Sequence, residues 1–189
     1  MPNAERSDAG TAQRLIALGE EIRRTIRDVA DFPKPGIVFK DITPLLANPT
    51  LFRKAAVAMA DPFRRAAITH VVAIESRGFL FGAPIALELD AALVPVRKPG
   101  KLPAKTVSIE YALEYGTDRL EIHADAFAAN ASVLIVDDVL ATGGTAVAAA
   151  ELVSGLGAIV VGYSFLMTLS FLAGERRLAG SDIHQVLRY

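Results

Sequence analysis

Four short apolar runs, rich in β-branched residues, recur along the chain at residues 70–75, 91–96, 132–136 and 158–167. They do not alternate between apolar and polar positions, so each reads as a strand covered on both faces. Helical patterns at 79–89 and 144–154 lie between them, the second rich in alanine. Strand and helix alternating through short connections predict an α/β fold with a mostly parallel sheet flanked by helices. With 189 residues, 52% of them hydrophobic, the chain has material for one sizeable core.

Upstream, Leu15, Leu18, Ile22, Ile26 and Val29 recur at steps of three and four, which predicts an amphipathic helix from Thr11 to about Asp28. Residues 1–10 are expected to form a disordered tail, and 11–189 a single domain. Pro33, Pro35 and Gly36 make 31–40 a rigid extended loop. Asn48 is placed to cap a helix over 49–60. Residues 106–115 and 118–123 alternate about Gly116-Thr117, as a hairpin would.

Several functions are disfavoured at once. Twenty basic side chains against twenty-one acidic leave a net charge of −1, so no bulk attraction to nucleic acid is expected. Without cysteine there are no disulfides, thiolate metal sites or cysteine nucleophiles. That suits a reducing compartment, and the cytoplasm is the expected location. Residues 152–174 carry no charge, but Gly155, Gly157 and Gly162 together with Ile159-Val160-Val161 predict a helix end, a turn and a core strand, not a membrane span. His70, His123 and His184 lack metal-ligand spacing, and Ser164 lies in no nucleophile elbow.

Ligands of open parallel sheets bind beyond the carboxyl ends of the strands. Three polar clusters fall at that rim: 75–78, 97–105 and 137–145. In residues 133–145 (VLIVDDVLATGGT) two carboxylates, Asp137 and Asp138, follow a buried strand, and Thr142-Gly143-Gly144-Thr145 opens a helix. Amides converging at a glycine-rich helix start make an anion site suited to a phosphate monoester. The acids would repel phosphate but accept hydrogen bonds from vicinal hydroxyls. The pattern describes a ribose 5-phosphate pocket; a simply capped helix after a core strand would look the same. It is neither a Walker loop nor a Rossmann fingerprint.

This segment resembles the phosphoribosyl-pyrophosphate (PRPP) motif of the type I phosphoribosyltransferases, in the form carried by the adenine enzymes. FPKPGIVF (32–39), ESRGF (75–79), RKPGKLP (97–103) and LEYG (113–116) occur in family order, so the resemblance covers roughly residues 20 to 189. It implies a type I phosphoribosyltransferase fold with a flexible hairpin loop and a small hood from N-terminal (mainly about 11–45) and C-terminal segments. It also implies transfer of a phosphoribosyl group from PRPP to adenine, yielding AMP and pyrophosphate. Magnesium is held through PRPP and water, with no direct protein ligand, and the family is usually homodimeric.

By the same resemblance Ala141, Thr142, Gly143, Gly144 and Thr145 hold the 5-phosphate, and Asp137 and Asp138 the ribose. Ser76, Arg77, Arg97, Lys98 and Lys101 meet pyrophosphate, with Arg77 also counted as catalytic, and a non-proline cis peptide is common in the turn before it. Glu114 exchanges a proton with the purine, Tyr115 covers the site, and Val38, Lys40 and Val139 bind adenine. Pro99 stands where the family is often basic. A phosphoribosyltransferase for another purine base and a non-catalytic PRPP-binding regulator remain as alternatives; the near-neutral charge and short N-terminus leave the regulator little room.

Overall fold

The computed structural model of the protein describes residues 3–112 and 116–189, with 3–12 and Ala112 described by backbone alone. The chain divides into two compact units, Met1–Ala58 and Met59–Tyr189.

The N-terminal unit begins with α1 (Asn3–Thr25). Where a tail was expected, the backbone is helical from Asn3, as the good helix formers Ala4, Glu5 and Arg6 allow. The helix also ends earlier than its periodicity predicts. Residues 27–30 form β1 (Arg27–Ala30), which pairs antiparallel with β2 (Val38–Asp41). The expected loop at 31–40 is therefore a hairpin with its prolines confined to the turn, where Gly36 donates to Asp31 Oδ1 at 2.8 Å and Phe32 meets Phe39 edge-on at 5.1 Å. After the short α2 (Thr43–Leu46), α3 runs from Pro49 to Ala60 as expected. Asn48 caps it, its Oδ1 accepting from the Leu51 amide at 3.1 Å.

The second unit is built in the order β3 (His70–Ile74), α4 (Gly78–Glu88), β4 (Ala92–Val96), β5 (Thr106–Ala112), β6 (Thr117–His123), β7 (Ser132–Leu140), α5 (Gly144–Gly155), β8 (Ile159–Thr168) and β9 (Asp182–Arg188). Five strands form one sheet in the order β4-β3-β7-β8-β9, and every neighbouring pair is parallel. Val72, Ile74, Val96, Val133 and Ile135 are almost wholly buried in its core. The C-terminal segment, expected in the hood, instead adds β9 to this sheet beside β8. Its short, half-polar sequence reads as a strand only once an edge is there to receive it. β5 and β6 form the expected hairpin, joined to the end of β4 by the Arg97–Glu121 bridge.

From β3 the chain steps outward to β4 and returns to place β7 on the other side of β3. This reversal opens a crevice between the carboxyl ends of β3 and β7, the place where open sheets bind ligands. The uncharged stretch resolves into the end of α5, a turn at Gly157 and β8. No helix among the described residues is long and apolar enough to cross a membrane.

Candidate active site

A cleft of about 220 Å³ occupies this crevice. On its β3 side the Glu75–Ser76 peptide is cis, and Arg77 is the N-cap residue of α4. On the other side β7 continues past Val136, where the sequence pattern ended it, because β8 supplies ladder partners for Asp137 and Val139. Both acids therefore sit on a strand, not on a loop.

Asp138 is 2% exposed, and its Oδ2 lies 3.1 Å from Arg77 Nε. Asp137 Oδ1 accepts the Asp138 amide at 2.8 Å. Burial first, and then the neighbouring Asp138 charge, push the Asp137 carboxyl well above its ordinary range. Burial also raises Asp138, against the pull of the Arg77 guanidinium. Two acids held so close, one of them buried, gain by meeting hydroxyl donors.

Past β7 the backbone turns at Gly143, whose φ of +81° is open to glycine and strained for other residues. Gly143 is the N-cap of α5 and brings no side-chain cap, so the first-turn amides have no acceptor from it. The turn is braced from behind. A methyl group at Gly174 would stand 2.1 Å from the Ala141 carbonyl oxygen and 2.8 Å from the Gly143 nitrogen. Ala141, Thr142, Gly143 and Thr145 line the cleft, and Gly144 is buried as the first residue of α5.

The cationic wall differs from its sequence reading. Lys98 lines the cleft, whereas Arg97 and Lys101 are not among its lining residues. The Arg97 guanidinium turns to Glu75, with Nε and one terminal nitrogen 3.2 and 3.1 Å from the carboxylate, and donates its other terminal nitrogen to the Lys101 carbonyl at 3.0 Å. It also lies 5.7 Å from the Phe79 ring centroid. Burial would raise Glu75, but the Lys98 amide, at 2.8 Å, and Arg97 outweigh it and hold the carboxyl low. Arg97 thus serves as an internal buttress, since a bidentate carboxylate satisfies its planar fork.

Ser76, Arg77, Asp137, Asp138 and Val139 all reach the cleft. Val38 and Lys40 belong to the N-terminal unit, where Lys40 pairs with Asp28 at 2.7 Å. Glu114 and Tyr115 lie outside the described residues. Glu75, Tyr111 and Phe165 also line the cleft, though the sequence reading gave them no role. For Tyr111 the available signal was register: the hairpin pairs it with Asp118.

The family model for the phosphoribosyl transferase domain matches residues 41–175. The adenine phosphoribosyltransferase of Myxococcus xanthus is 56% identical over 169 residues, 89% of this chain and 92% of that one. Among solved structures, the adenine phosphoribosyltransferase of Rhodothermus marinus superposes with a TM-score of 0.88 at 51% identity, covering 92% of this chain and 99% of its own. The Saccharomyces cerevisiae enzyme, solved with an imino-altritol bisphosphate and adenine, superposes with a TM-score of 0.85 at 41% identity, covering 91% of this chain and 99% of its own.

Proposed function

The chain belongs to the adenine phosphoribosyltransferase family, and from that membership we propose that the protein acts in purine salvage, joining adenine to the phosphoribosyl group of PRPP to give AMP and pyrophosphate. The observation that carries this reading is the crevice between β3 and β7, where an uncapped helix start opens beside two adjacent acids. The amides of Thr142 to Thr145 suit a 5-phosphate, and Asp137 and Asp138 suit the ribose hydroxyls. The relative solved with a sugar bisphosphate analogue and adenine favours the same pairing of ligands.

In the reaction N9 of adenine bonds to the anomeric carbon as the bond to pyrophosphate breaks, and the purine gives up its N–H proton. Positive charge builds on the ribose and negative charge on the departing group. Arg77 and Lys98 are suited to the latter by their place on the cleft wall. Glu114 is proposed, from its sequence position, to exchange the proton with the ring. Val38, Lys40 and Val139 are proposed for adenine, and Tyr115 as cover.

Magnesium belongs to the substrate in this reading and lowers the charge of the leaving pyrophosphate. The donor set fits that role: Glu75 and Asp118 are bonded to Arg97 and Lys98, and Asp138 pairs with Arg77. A homodimer is proposed on the family's habit and on the exposed apolar Leu80, Leu87 and Leu93; sedimentation tests it. The absence of cysteine favours the cytoplasm.

The deciding experiment is an assay of the purified protein with magnesium, PRPP and a panel of bases. Formation of AMP from adenine is expected. Turnover of another base but not adenine would reject adenine as substrate, and PRPP binding without turnover of any base would reject an enzyme altogether.

A further inference from the structure

Lys98 is the cation on the cleft wall whose side chain is held from outside the sequence motifs. Its amide is fixed by Glu75. Its ammonium donates to the Asp118 carboxylate and to the Tyr111 hydroxyl at 3.4 Å, and stands 5.8 Å from the tyrosine ring centroid. Tyr111 and Asp118 face each other directly across β5 and β6, so their side chains share one face of the hairpin. Asp118 is itself secured at both oxygens: Oδ1 accepts the Arg119 amide at 2.8 Å, and Oδ2 accepts the Tyr111 hydroxyl at 3.3 Å as well as the ammonium.

We propose that Asp118, assisted by Tyr111, is a positioning residue that holds the Lys98 ammonium over the cleft for the pyrophosphate group. An ammonium has three donors. Asp118 and Tyr111 occupy two, which aims the third and removes most of the freedom of a four-carbon stem before any ligand arrives. The alternative is that Asp118 competes with the ligand for Lys98. The cluster's geometry favours support: both acceptors belong to the paired part of the hairpin, and Lys98 still lines the cleft while bonded to them. Burial opposes the charged forms of both partners, but their mutual hydrogen bond and attraction outweigh it, lifting Lys98 and lowering Asp118. The ammonium therefore stays charged throughout the neutral range.

The inference rests on the proposed transferase reading, and its test separates the two. The KM for PRPP and for adenine is measured on wild type, Asp118→Asn, Asp118→Glu, Tyr111→Phe, Lys98→Ala and the Lys98→Ala/Asp118→Asn double variant, alongside calorimetry with magnesium pyrophosphate. Asp118→Asn is expected to raise the PRPP KM and the pyrophosphate Kd about tenfold, equal to about 1.4 kcal/mol, with the adenine KM unchanged. Asp118→Glu should recover part of the loss and Tyr111→Phe, the milder change should the others fold poorly, should lose about threefold, one hydrogen bond's share. In the Lys98→Ala background the Asp118 effect should vanish. Tighter or unchanged pyrophosphate binding in Asp118→Asn, or an equal loss with Lys98 absent, overturns the proposal. If wild type forms no AMP, the transferase reading falls, and the calorimetry still decides the role of Asp118.

Discussion

Replacing Gly174 by alanine tests whether the turn at 141–144 is a phosphate cradle or only a helix start. Gly174 is buried and its φ is not in the left-handed region, so alanine there faces a steric obstacle and no backbone strain. Its new methyl would stand 2.1 Å from the Ala141 carbonyl oxygen, where ordinary contact begins at 3.4 Å, so one segment must retreat by about 1.3 Å. The obstacles are all backbone, at Ala141, Thr142 and Gly143, and no side-chain rotation relieves them. Overpacking of this kind costs about 1–3 kcal/mol of stability. A shift of that size also breaks the aim of at least one amide at the phosphate. One charge-assisted hydrogen bond is worth about 1.5–3 kcal/mol, or roughly 10- to 150-fold in affinity. Calorimetry with AMP should show that loss, while thermal melting shows a lowered but cooperative transition. A folded Gly174→Ala protein that binds AMP as tightly as wild type would refute the assignment of the turn to the phosphate.

Two further outcomes follow from the acids and the cap. Because the folded state raises the Asp137 and Asp138 pKa values, the native protein holds protons that the unfolded chain has released. The pair's contribution to stability therefore falls as pH rises from the ordinary carboxylate range through the raised values, opposite in sign to a salt-bridged acid. Asp137→Asn should raise the melting temperature at neutral pH and flatten that dependence while weakening AMP binding; a lower melting temperature would contradict it. Asn48→Ala should cost about 1 kcal/mol by denaturant titration, the usual worth of a lost N-cap, without altering AMP affinity.

The parallel core was legible because its signal is local. An apolar run such as 70–74 has nowhere to go but a strand buried on both faces, and Asn48 before Pro49 announces a cap whatever lies around it. The misread strands depend on pairing partners outside their own segments. β1 reads as the last turn of α1 until β2 offers a ladder. The end of β7 reads as loop because two aspartates follow Val136, yet β8 keeps the strand extended to Leu140. β9 becomes a strand only beside β8, through a register that no stretch of seven residues contains.

The same dependence on distant partners limited the reading of the site. Residue types set apart the glycine-rich turn and the paired acids as candidates, since two glycines opening a helix and two adjacent carboxylates are visible in the sequence without any distant partner. Cations do not carry such information alone. Arg97 and Lys98 are adjacent in a basic loop and look equivalent, but Glu75 turns the first inward while Asp118 and Tyr111 hold the second at the cleft. A charge run names the ligand's sign, and the acids that meet it from other strands decide which charge is left to bind. In this chain the selection is made by residues 22, 20 and 13 positions away from the cations they hold, a separation at which no short sequence window would have paired them.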